Sequence, residues 1–137
     1  MNESISQLLI HVCRAHRRTA EFRLNEIGLY AGQEAILLHL IQHDGLSQTE
    51  LAQALGVEAP TVTKSLARLV KAGYVRRQRD SVDGRIWRVY ITPQGRKLEQ
   101  AIRAIWTEIE AQVSSGLSDT EQIVVKRLLA QMLANLS

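Results

Sequence analysis

The stretch from Ser47 to Ile91 constrains this chain more than any other part of it. Ser47-Gln48-Thr49-Glu50 has the S-x-x-E form of a helix-capping box, in which the serine hydroxyl takes an orphan amide and the glutamate reaches back. Leu51, Ala52 and Leu55 then turn toward a core, and Gly56 supplies the left-handed residue that closes a helix. A further helix starts near Ala59, with Pro60 in its first turn, where the missing N–H costs nothing, and it stops at Gly73. Two helices joined by a short Gly-containing turn make a helix-turn-helix. Beyond Gly73 the apolar period falls to two. Val75 to Arg79 reads as a basic strand, Asp80 to Gly84 as a loop, and Arg85 to Ile91 as a return strand with Trp87, Val89 and Ile91 on one face. A β-hairpin appended to a helix-turn-helix is a wing.

The flanks are helical. From Ser4 to about Asn25, Ile5, Leu8, Leu9, Val12, Ala15, Ala20 and Leu24 recur near helical spacing. Gln33 to His43 reads as a more buried helix ending at the Asp44-Gly45 turn. Thr92 caps a helix with Pro93 in first position, running to about Ser115. Its stripe comprises Leu98, Ala101, Ile102, Ile105, Trp106, Ile109 and Val113, and Gly116 breaks it. A second capping box, Ser118 to Glu121, opens a last helix carrying Val124, Val125, Leu128, Leu129, Met132, Leu133 and Leu136. The fold class expected is mainly α with a small β-hairpin wing. The terminal helices carry more apolar surface than a winged-helix body can cover, so the economical arrangement is a two-fold homodimer in which they interlock.

Composition narrows the function. A chain of 137 residues suits one domain, with or without helical extensions. It has no apolar run of about 18 residues that would cross a membrane, and no basic n-region with an apolar core. Its one cysteine, Cys13, excludes an intrachain disulfide and fits a reducing cytoplasm. The formal net charge of +3 is unevenly spread: residues 47–97 hold ten basic and four acidic side chains, while both flanks are slightly acidic. That is the electrostatic footprint of nucleic-acid binding. The fourth helix sharpens it. Val62, Leu66, Leu69 and Val70 fall on one arc, whereas Thr61, Lys64, Ser65, Arg68 and Lys71 fall on the other, which holds no acid. Short hydroxyls with long cations behind them suit a major groove, and Arg85 just past the wing tip suits a minor groove. No phosphate-cradling loop, nucleophile motif or metal-hydrolase signature points to catalysis. The rival reading is a winged helix used as a protein-interaction module without specific DNA binding.

The residues LSQTELAQALGVEAPTVTKSLARLVKAGYVRR, the wing DSVDGRIWRVYITPQGRKL and the segment GLYAGQEAILLHL resemble the multiple antibiotic resistance regulator (MarR) family along essentially the whole chain. The resemblance implies a homodimeric winged-helix transcriptional regulator on a pseudo-palindromic operator, most often a repressor. Residues 1–28 and 93–137 would be dimerisation helices, and residues 29–92 the DNA-binding region. Thr61, Thr63, Lys64 and Arg68 would lie on the recognition helix, with Arg85 at the wing tip braced by Asp83. Two departures stand out: Tyr30 replaces a frequent Thr at the start of helix two, and Lys64 replaces a common Arg, so that position acts as a point charge. Lys64, Arg68, Lys71 and Arg76 are expected on phosphates, Ser47 at a helix N-terminus beside the backbone, and Thr61, Thr63 and Lys64 on base edges.

The resemblance also implies a small anionic or aromatic effector, for which Cys13, His16, Arg17, Tyr30 and His39 are candidates. Cys13, near Arg14 and Arg17, is a candidate redox sensor, set against the commoner case of a buried, inert thiol. His39 and His43 stand at i, i+4 and His11 lies near His16, but no second ligand pair accompanies them, so neither a metal nor a cofactor is expected.

Overall fold

The computed structural model describes residues 3–137. The elements are α1 (Ile5–Asn25), α2 (Gln33–Gln42), β1 (Leu46–Ser47), α3 (Gln48–Leu55), α4 (Ala59–Lys71), β2 (Val75–Arg79), β3 (Trp87–Ile91), α5 (Pro93–Arg96), α6 (Glu99–Val113) and α7 (Asp119–Leu136). The strands form one antiparallel sheet in the order β1-β3-β2, with Val75 opposite Ile91, Arg77 opposite Val89 and Arg79 opposite Trp87. The fold is mainly helical with a small winged sheet.

Capping explains most boundaries. Ser4 and Gln7 close a capping box at α1, and Ser118 and Glu121 close another at α7. At α3 only half of the expected box forms. The Ser47 hydroxyl accepts the Glu50 N–H at 3.1 Å, while the Glu50 carboxylate lies 3.9 Å from Arg88 Nη1 instead of closing back. The cause is β1, a strand too short to show a period, which pairs Ser47 with Arg88. Gly56 ends α3 with φ +66°, the conformation a Cβ disfavours.

One expected helix is two. Between α5 and α6 the Leu98 N–H bonds the Gly95 carbonyl, an i→i−3 turn, at 3.1 Å. Gly95 there packs directly on the Tyr74 backbone carbonyl, leaving no room for a Cβ. Thr92 fastens the same corner: its hydroxyl donates to Gly73 O at 2.6 Å and accepts the Gly95 N–H at 3.1 Å.

Contacts divide the chain into two compact units, one reaching to Ile105 and the other Trp106–Ser137. In the first, Leu24, Leu29, Leu37, Leu40, Leu51, Leu66, Leu69 and Val89 are almost wholly buried around the winged sheet. Each such side chain contributes roughly 1.5–3 kcal/mol of burial. Along α1, however, only Ala20 and Leu24 are buried, and Ile5, Leu8, Ile10, Val12 and Phe22 are exposed. In the second unit α7 buries no residue, and Ile123, Val124, Val125, Leu128, Leu129, Leu133 and Leu136 are exposed. No helix among the described residues is long and apolar enough to cross a membrane.

Candidate nucleic-acid interface

Helix α4 presents two faces. Val62, Leu66 and Leu69 are buried, whereas Thr61, Thr63, Lys64, Arg68 and Lys71 are exposed and Ser65 is half-buried. Val70, expected on the core arc, sits at its edge and is 36% exposed. Thr63 is committed locally: its hydroxyl donates to Ala59 O at 3.0 Å, which leaves its oxygen as an acceptor. Gln48 Nε2 donates to that oxygen at 3.5 Å, and Gln48 Oε1 accepts from Arg77 Nη1 at 3.5 Å. The start of α3, the first turns of α4 and strand β2 therefore meet at one polar junction.

Arg76 and Arg77 point to opposite faces of the wing. Arg77 shares its face with Arg79 and Trp87, whose indole lies 5.9 and 4.7 Å from the two guanidinium carbons. Arg76 stacks over Tyr90 at 4.5 Å and donates to Gln78 Oε1 at 2.6 Å. Of the two, it is Arg77 that joins Gln48 and Thr63, while Arg76 lies on the Tyr90 face of the wing. The alternation was readable, because Trp87, Val89 and Ile91 already marked the face that an antiparallel partner must share.

The wing tip is folded around two carboxylates. Asp80 accepts N–H groups from Val82 at 3.1 Å and Asp83 at 2.9 Å, and the Arg88 Nε–H at 2.6 Å. The Arg88 guanidinium holds its carboxyl well below the usual range, at about 2. Asp83 grips Arg85 with both oxygens, at 3.1 and 3.2 Å, and takes its backbone N–H at 3.0 Å. The Arg85 hydrogen bonds depress the Asp83 carboxyl and raise the Arg85 guanidinium. Arg85 itself is 91% exposed, a fixed cation aimed at solvent. Between the wing and the start of α3 runs a groove of about 360 Å³, lined by Ser47, Thr49, Arg85 and Trp87. Ser47 is mostly buried there, with its oxygen already engaged as the α3 cap.

The effector candidates come from α1, the loop before α2, and α2 itself. Cys13, His16 and Arg17 are exposed on α1, with Arg17 Nε 3.4 Å from Glu21. The exposed Cys13 corrects the picture of a buried thiol. His39 packs its ring 5.4 Å from His43. Tyr30 instead lies under Arg68, whose guanidinium carbon is 4.8 Å from the ring centre. Among the described residues no group of three or more His, Cys, Asp or Glu could hold a metal ion.

A helix-turn-helix, a charged wing on its flank and a recognition face without acids define a winged helix-turn-helix protein. Residues 31–86 match the model of the MarR family. Over 133 residues the chain is 29% identical to the HTH-type transcriptional regulator YwoH of Bacillus subtilis, covering 94% of this chain and 96% of that protein. It is 25% identical over 139 residues to the transcriptional regulator AdcR of Streptococcus pneumoniae, covering 99% and 94%. Its fold superposes on MepR of S. aureus, solved as a DNA complex, with a TM-score of 0.90, 29% identity and 98% and 99% coverage. The chain is thus similar to MarR-family proteins through its central residues 31–86, and to transcriptional regulators along nearly its whole length.

Proposed function

We propose that this protein is a sequence-specific, double-stranded DNA-binding regulator that acts as a homodimer on a pseudo-palindromic operator. The observation that carries the reading is the acid-free polar face of α4 set beside a wing whose Arg85 is held by Asp83. The solved DNA complex of MepR, similar along the whole chain, supports the same reading. Thr61, Lys64 and Ser65 face the bases. Arg68, Lys71 and Arg77 carry the salt-sensitive backbone attraction, Gln48 and Thr63 tie the reading head to the wing, and Arg85 enters the minor groove. The exposed apolar residues of α1, and separately those of α7, support the homodimer. Repression, relieved by a small anionic or aromatic effector, completes the reading, with residues 29–92 as the DNA-binding region of a cytoplasmic protein.

The Lys64→Ala/Arg68→Ala double variant tests it. Both side chains are exposed, so the thermal transition should stay near that of the parent while duplex affinity falls by about a hundredfold, two charge contacts being lost. Unchanged affinity in the folded variant would refute the role of α4 and favour the protein-interaction reading.

A further inference from the structure

The loop before α2 is built to present an aromatic ring to the recognition helix. The Tyr30 N–H donates to Gln33 Oε1 at 2.9 Å, and the Gln33 N–H donates to Tyr30 O at 3.0 Å. Gln33 is itself only 4% exposed, so this reciprocal pair anchors Tyr30 to the buried start of α2. The ring, 57% exposed, carries the Arg68 guanidinium. Stacking occupies the face of a guanidinium and leaves its N–H donors free in the plane. Beside the pair opens a recess of about 330 Å³ whose polar lining is Tyr30, Gln33, Arg68, Lys71 and Tyr74. None of its lining side chains is acidic. Of the two carboxylates four residues from Tyr30 in sequence, Glu34 is buried and turned onto the Gly32 N–H at 2.9 Å, and Glu26 is exposed at the end of α1 and is not in the lining.

Resting on the DNA-binding reading, we propose that this recess seats one backbone phosphate of the duplex, and that Tyr30 is a positioning residue holding Arg68 for that phosphate rather than for a base edge. Two cations, two phenols and a carboxamide suit an oxyanion. Arg68 and Lys71 also belong to the acid-free face of α4, so a duplex lying along that face is the source at hand. Arg68 parked on Tyr30 is drawn away from Thr61 and Lys64, which lie one to two turns nearer the N-terminus of α4.

The test compares the parent with Tyr30→Phe, Tyr30→Leu and Arg68→Ala by fluorescence anisotropy across a salt series. The duplexes carry a single neutral methylphosphonate at each backbone position in turn. Thermal melts confirm that each variant folds, as expected for exposed positions. The expected result is one methylphosphonate that weakens the parent about three- to tenfold and has no further effect on Arg68→Ala or Tyr30→Leu. The slope of log affinity against log salt should fall by about one in both variants. Tyr30→Phe, which keeps the ring, should match the parent.

Three results overturn the proposal. If Tyr30→Leu equals the parent, the ring positions nothing. Arg68→Ala can lose discrimination at one base pair with an unchanged salt slope, which makes Arg68 a base reader. Inorganic phosphate at constant ionic strength can displace duplex from the parent but not from Arg68→Ala, which makes the recess a free-anion site. A parent that binds native and scrambled duplexes equally would sink the regulator reading alone, because the slope comparison still decides the recess.

Discussion

Arg88 Nε stands 2.6 Å from Asp80 Oδ1, and Nη1 of the same guanidinium donates to the Gly45 carbonyl at 2.9 Å. One side chain therefore ties the tip of the wing to the turn before β1. With the Asp83–Arg85 pair it makes the wing a preformed element, so DNA binding need not order it first.

This relationship sets a pH dependence. A carboxyl at about 2 in the folded chain, against about 3.9 unfolded, contributes stability that is complete above about pH 4 and is lost as the pH falls toward 2. Amide NMR of Val82 and Asp83, whose N–H groups bond Asp80, should titrate with a midpoint near 2. A midpoint near 4 would contradict the Arg88 clamp.

Asp83→Ala should weaken operator binding several-fold by freeing Arg85, while Arg85→Ala should weaken it more. The loss should be largest on operators with narrow, A/T-rich flanks. Anisotropy on flank variants checks this, and equal losses on G/C-rich flanks would remove Arg85 from the minor groove.

Arg77→Ala should lower the salt slope by about one, and Arg76→Ala should leave it nearly unchanged. The two differ only in strand parity. The reverse order would mean that the duplex meets the Tyr90 face of the wing.

Gly95→Ala should destabilise the fold by about 1–3 kcal/mol, because the new Cβ collides with a backbone carbonyl that cannot move aside alone. Urea unfolding measures it. A neutral result would show that the α5 corner is looser than the Thr92 bonds suggest.

Most of this architecture is legible in the sequence, where long periodic signals or cap chemistry carry it. Leu66 and Leu69 opposite Lys64 and Arg68, Thr92-Pro93 opening a helix, and Gly56 closing one all follow from local physics. What escapes is set by pairs distant in the chain. Leu46–Ser47 is a strand only because β3 offers its edge, and that pairing brings Arg88 within reach of Glu50 and leaves the capping box half closed. Gln48 gains its role from Thr63, 15 residues away, and Arg77, 29 away. Tyr30 reads in sequence only as the replacement of a frequent Thr at the start of helix two, and as a platform for Arg68 only once α2 and α4 are packed.

The most direct measurement is anisotropy of the purified protein on the duplex upstream of its own coding sequence, beside a scrambled duplex, at low and near-physiological salt. A sequence-specific regulator of this site binds the native duplex tightly at the higher salt and loses that affinity on the scrambled one. Weak binding to both, collapsing together as salt rises, would contradict sequence-specific regulation at that site and leave only a basic surface.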